Sequence, residues 1–173
     1  MRLLKLFSLL AARLVGLSVG LFFAVSSAVS AQAGSPTEQM ILGTWITETR
    51  SHVTIVPCPP GYCGFITKVV VAEQILKRYG DEVAAMGDNI VDALNKDPAL
   101  RNRPLQGLQI LTLDPIEASA DRITGQIYNP EDGETYDGFL EIVNNETIRL
   151  SGCVLFNLIC RGEDWKRVPL AMK

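Results

Sequence analysis

A single histidine, His52, stands in a chain of 173 residues. One imidazole cannot assemble the multi-histidine zinc or iron sites of common hydrolases and oxygenases. Ser51 is no catalytic partner for it, because neighbours along a strand point to opposite faces. No G-x-S-x-G elbow and no phosphate-cradling glycine-rich motif occurs. Acids are plentiful, yet no spacing singles out the carboxylate pair of a glycosidase. The sequence therefore offers no catalytic residue, no metal site and no cofactor motif.

Positive charge is also in deficit. Sixteen lysines and arginines meet 19 acids, and Arg2, Lys5 and Arg13 lie in the first 33 residues, which hold no acid. Residues 34–173 thus carry thirteen positive and nineteen negative side chains, a net charge of −6. Nucleic acid is excluded as a partner, since its phosphates demand a basic footprint. The same charge disfavours adhesion to anionic lipid.

Long apolar runs are lacking too. The run Leu14–Val25 falls short of the roughly 20 residues that span a bilayer, and nothing like a stop-transfer pattern comes after it. With its basic start and the small residues Ala31-Gln32-Ala33, the segment 1–33 reads as a cleaved secretory signal peptide. An uncleaved N-terminal anchor is the alternative. No cysteine sits at the cut, which argues against a lipoprotein. The expected mature chain, residues 34–173, is periplasmic or secreted, has no stable membrane insertion after cleavage, and has the length of one domain.

Four cysteines remain: Cys58, Cys63, Cys153 and Cys160. In an exported chain an even count at short spacings reads as disulfides. Of the three connectivities, the spacing favours the local pairs Cys58–Cys63 and Cys153–Cys160. A four-thiolate zinc site is the rival, and its usual C-x2-C spacings are absent.

Strand-length runs dominate residues 34–173. Gly34–Gln39 is polar and contains Pro36, and reads as a loose arm. Strands are expected at Leu42–Thr49, His52–Val56 and Phe65–Val71, with Pro57–Gly64 between the last two as an irregular turn. From Ala72 to Asn95 the apolar spacing shifts to three and four, predicting an amphipathic helical segment broken at Gly80 and Gly87. Asp97–Gln106 is an irregular connector. Strands resume at Leu108–Leu113, Arg122–Tyr128, Thr135–Val143, Thr147–Val154 and Glu163–Val168. Apolar residues at 108 and 110, then at 111 and 113, predict a bulge in the first of these. Eight short strands with close turn signals predict a mainly β fold, a small antiparallel barrel with a helical insertion around 72–95.

The motifs Gly43-Thr44-Trp45, Pro57-Cys58, Tyr62-Cys63-Gly64, the stretch Asn95–Leu108, Gly125–Pro130, Gly133–Tyr136 and Trp165-Lys166-Arg167 resemble a family of exported bacterial proteins of unknown function. Its members read NPDPALRSRPLCGL and G-x-IYDPxxGKTY, and end in W-x-R. The chain departs at Gln106, where the family has cysteine, and at Glu134, where it has lysine. The resemblance implies a lipocalin-like barrel in which Arg167, near the end of the last strand, packs over Trp45 in a structural role.

Two polar groups invite functional readings. Arg101 and Arg103, with Asp97, would receive an anionic ligand head at the barrel mouth, as guanidinium groups bind carboxylate or phosphate through two parallel bonds. Alternatively they pin the connector through backbone carbonyls and nearby acids. Tyr128 and Tyr136 bracket a hairpin with Asp132; they would contact ligand, or simply pack on strand ends. The whole points to a non-enzymatic binding protein for a small apolar or amphipathic ligand. Its alternatives are an envelope interaction protein with a filled core, and an enzyme. A homodimer is compatible with either of the first two.

Overall fold

A computed structural model describes residues 35–71, 73, 76–77, 80, 86, 89–117, 121–156 and 158–169. The expected signal segment 1–33 lies outside them. So does half of the expected helix at 72–95, where Glu73, Leu76, Lys77, Gly80 and Met86 are helical.

The N-terminal arm is not loose. Ser35 Oγ accepts from Glu38 N at 3.1 Å, and Pro36 occupies the first turn of helix α1, Pro36–Ile41. A serine cap, a proline that needs no hydrogen bond and an acid at the third position start a helix together. Strand β1 (Gly43–Ile46) comes next, then β2 (His52–Cys58), β3 (Gly61–Lys68), β4 (Gln109–Leu113), β5 (Ile123–Asn129), β6 (Glu134–Asn144), β7 (Thr147–Val154) and β8 (Ile159–Arg167). Each pairs antiparallel with the next, and β8 returns to β1, closing a barrel.

Boundaries differ from the sequence reading at several places, and β3 ends at Lys68 rather than at Val71. The stretch 57–64 is not an irregular turn: β2 and β3 pair through Pro57↔Tyr62 and Cys58↔Gly61, leaving Pro59-Pro60 alone as the loop. The last β1 partner of β2 is Ile55, so Pro57 lies where β2 is an edge, and an edge tolerates the missing N–H. Strand β1 stops at Ile46, where Thr47 and Ser51 close a turn with Arg50 at φ 69°. Residues 89–95, expected as helix, are irregular, with Val91 bridged to Pro104. Strand β8 begins four residues earlier than expected, carried across the Cys153↔Cys160 pair. Both local disulfides are present.

The bulge is where the pattern places it. Gly64 pairs with Leu111 and Phe65 with Gln109, so Ile110 is extra, and Ile110 and Leu111 are both buried. Inward residues Val53, Ile55, Leu111, Leu113, Leu140, Ile148, Leu150 and Trp165 form one core with Ile41 and Trp45. Each large buried side chain contributes about 1.5–3 kcal/mol.

So small a barrel bends sharply, and glycine makes the bends. Gly125 pairs with Gly138 across β5 and β6. A Cβ on Gly125 would stand 2.2 Å from Thr112 O, and one on Gly138 2.3 Å from Ser151 O. Neither backbone can yield without losing a neighbouring strand. Gly107, by contrast, has a positive φ of 83° and open space around it. Gly125→Val is expected to cost about 3 kcal/mol or more, and Gly107→Ala about 1 kcal/mol, in urea unfolding of the oxidised protein.

Candidate functional site

The two ends of the barrel are built differently. At one end α1 lies across the opening. Its last carbonyls have no partner within so short a helix, and the barrel supplies them. Trp45 Nε1 donates to Ile41 O at 2.8 Å, Arg167 Nη1 to Leu42 O at 2.9 Å, and Arg167 Nη2 to Met40 O. The guanidinium lies 4.1 Å from the indole centroid of Trp45, which is 0% exposed. Its Nε reaches Asn145 O at 2.9 Å. This end is closed.

At the other end the connector between β3 and β4 folds over the β5–β6 hairpin. Its anchor is Asp92, 1% exposed. Tyr128 Oη donates to Asp92 Oδ1 at 2.6 Å. Asp92 Oδ2 accepts from Asn95 Nδ2 at 2.8 Å, Arg103 Nε at 2.9 Å and Arg103 Nη2 at 2.8 Å. Asn95 Nδ2 also donates to Tyr128 Oη at 2.8 Å, and Arg103 sits 5.2 Å over the Tyr128 ring. A buried carboxylate is tolerable only when paired and fully hydrogen-bonded, and this one is. Burial, then the hydrogen bond to Asp92, raises the Tyr128 hydroxyl above the ordinary tyrosine range.

Of the candidate residues, Arg103 and Tyr128 are thus joined through Asp92. Arg101 is exposed, with its Nε donating to Asn95 O at 2.8 Å. Asp97 caps the short 3-10 turn Pro98–Leu100 by accepting from Ala99 N. Tyr136 stands apart from these, donating to Asp132 Oδ2 at 2.8 Å. The β5–β6 turn presses on the connector at Gly133, where a Cβ would lie 1.9 Å from Leu94 O.

Asp92 and Asn95 escape a reading of the sequence because both fall inside the expected helix. The signal is an acid and an amide interrupting the apolar run Ile90, Val91, Leu94. Glu163 escapes it as well. It alternates with buried Trp165 on β8 and therefore shares its inward side, and it accepts from Trp165 Nε1. Burial raises its carboxyl above the ordinary carboxylate range, the Trp165 bond opposes this, and Glu48 and Glu131 add to it.

The rim of this end carries a concavity of about 330 Å³ lined by Glu134, Tyr136, Asp137, Val154, Leu155 and Phe156, among others. Beside it the β7–β8 hairpin exposes Leu155, Phe156, Leu158 and Ile159, with Phe156 98% exposed. A second hollow, about 540 Å³, crosses the outer faces of β4, β5 and β6 around Arg122 and Phe139. Among the described residues no group of His, Cys, Asp and Glu is placed to hold a metal.

A closed eight-stranded antiparallel barrel, plugged at one end and clamped by tryptophan and arginine between first and last strands, is lipocalin-like. The chain belongs to the bacterial family described as "Uncharacterized protein conserved in bacteria (DUF2147)", whose model matches residues 43–167, from the glycine before Trp45 to Arg167. It is similar in fold to protein HP1028 from the human pathogen Helicobacter pylori, described as belonging to the lipocalin family. The TM-score is 0.58 over 75% of this chain and 83% of that one, at 20% identity. No curated protein matches the chain.

If Asp92 is what holds the connector, Tyr128→Phe will remove one of its four bonds and cost about 1–3 kcal/mol. Asp92→Ala, which strands Arg103, Asn95 and Tyr128 together, will cost about 3–5 kcal/mol. Denaturant unfolding checks the order; equal, negligible losses would show that the connector is held elsewhere.

Proposed function

We propose that this protein is exported and holds a small amphipathic or largely apolar ligand at the open end of its barrel. The observation that carries the reading is the rim concavity, apolar on the side of Val154, Leu155 and Phe156 and polar on the side of Glu134, Tyr136 and Asp137. Sites for small ligands are hollows of this scale, apolar with a few placed polar groups. Tyr136 would contact the polar part and Phe156 the apolar part. Asp92, Arg103, Tyr128 and Asn95 would position the connector beside it, leaving Arg101 exposed for an anionic head. The closed end would serve stability alone. Two disulfides and the leader-like segment 1–33 support an oxidising compartment outside the cytoplasm.

A second reading, an envelope interaction protein with a filled core, draws support from the exposed tip of the β7–β8 hairpin. Apolar residues gathered on a surface mark contact sites.

Native mass spectrometry of the protein purified from its export compartment without detergent separates the two. The binding reading predicts an excess mass that vanishes on denaturation. Phe156→Ser would lower occupancy by about tenfold, the equivalent of roughly 1.5 kcal/mol of apolar contact. A protein free of excess mass, in an extract that contains its natural small molecules, would contradict it.

A further inference from the structure

The hairpin between β7 and β8 is built unlike its neighbours. The β1–β2 and β5–β6 turns at the same end consist of polar residues, proline and glycine, Thr47–Ser51 and Asn129–Gly133. Here the turn presents Leu155, Phe156 and Leu158, which are 62%, 98% and 81% exposed, with Val154 and Ile159 exposed beside them. Leu155 at φ 51° and Phe156 at φ 56° are both left-handed. Asparagine and glycine suit such positions, whereas bulky side chains are strained in them. The chain thus sets large apolar groups in water where small polar ones would fold more easily. A strained apolar projection of this kind marks a contact surface.

The hairpin is braced to hold this tip out. Cys153 and Cys160 form a disulfide at its base, and Val154 pairs with Ile159 directly above it. Leu158 N donates to Leu155 O at 3.2 Å across the turn. That bond reduces the backbone polarity that an apolar medium would have to accommodate.

Size and charge decide what the tip meets. A stable protein interface takes about 20–30 residues a side, far more than the few apolar side chains gathered here. A lipid leaflet needs no matching pocket: interfacial segments sink their apolar side chains about 5–10 Å into the boundary of head groups and acyl chains. The strands behind the tip suit that boundary. From Thr147 to Gly162 the chain holds no acid, and its charged residues are Arg149 and Arg161. Arg149 is paired with Asp164 at 2.8 Å. Arg161 is exposed two residues behind Ile159, where a guanidinium can meet a head-group phosphate. Glu134 and Asp137 on neighbouring β6 are exposed as well and oppose a strongly anionic leaflet, so apolar contact rather than net charge supplies the attraction.

We propose that the β7–β8 tip is a membrane-contact site, at which Leu155, Phe156, Leu158 and Ile159 enter a zwitterionic leaflet shallowly and reversibly, with Arg161 at the level of the phosphates. The contact sets the rim concavity, which shares Val154, Leu155 and Phe156 with the hairpin, against the lipid surface. The inference stands whether or not that concavity holds a ligand, because Leu158 and Ile159 lie outside its lining.

Vesicle binding tests this with the oxidised protein purified from its export compartment. Phosphatidylcholine vesicles should carry the protein upward in flotation. In Phe156→Trp, emission should shift to the blue and be quenched by lipids brominated high on the acyl chain, while Trp45 and Trp165, both buried, stay unquenched. Leu158→Ser should lower partition by about tenfold. Because it leaves the concavity's lining intact, its loss is read separately from any loss of ligand. Near-ultraviolet circular dichroism of this variant should match the wild type, since the position is exposed. Raising salt from about 0.05 to about 0.5 M should change partition by less than about twofold, as apolar contact is not screened. A wild type that stays unbound at about 1 mM lipid overturns the proposal. So does binding that Leu158→Ser and Phe156→Ser both leave unchanged, which would place the contact elsewhere in the chain, or binding that salt abolishes.

Discussion

The guanidinium of Arg167 is the fixed point of this molecule. It lies on the face of Trp45, and it donates to carbonyls of Met40, Leu42 and Asn145. Those partners belong to α1, to the entry of β1 and to the β6–β7 turn, so one side chain joins the first and last strands and the plug across their end. Arginine suits this place because a planar, permanently charged fork both stacks and donates in several directions. Lysine would supply the charge without the plane. With only two residue pairs between β1 and β8, backbone hydrogen bonding alone makes a weak seam. The side chains supply what the short ladder lacks.

The opposite end is organised by a second buried charge. Asp92 gathers Arg103, Asn95 and Tyr128, and thereby holds the connector onto the β5–β6 hairpin. The two ends obey one principle, a buried or stacked charge with every partner satisfied, to different effect. Arg167 closes an opening, whereas Asp92 ties the connector across the hairpin and leaves a rim on which Tyr136 and Phe156 are accessible. On the binding reading proposed above, that difference is what gives the barrel a working face.

Much of this is legible in the residues. Alternation along β2, β6 and β7 marks their inner faces, and the doubled apolar positions at Ile110 and Leu111 mark the bulge. Cysteine spacing marks the pairs. The arm before β1 is misleading because its proline suggests disorder, although Ser35, Pro36 and Glu38 together form a helix start. Residues 57–64 mislead because prolines and glycines dominate them, while edge position lets a strand keep Pro57. Asp92 is hidden by the apolar spacing around it. Periodicity shows which residues face a core but not which polar residue the core will accept, because that depends on partners distant in sequence: Arg103 lies 11 residues away and Tyr128 lies 36.

The clamp is the claim from which the rest descends, and a double-mutant cycle on Trp45 and Arg167 addresses it directly. W45F, R167K and the double variant would be unfolded in urea with both disulfides intact. A coupling energy of about 1 kcal/mol or more between the two positions is the expected result, from the lost stacking of guanidinium on indole. Losses that simply add, within about 0.3 kcal/mol, would mean that the two residues stabilise the barrel independently and that its closed end is held by something else.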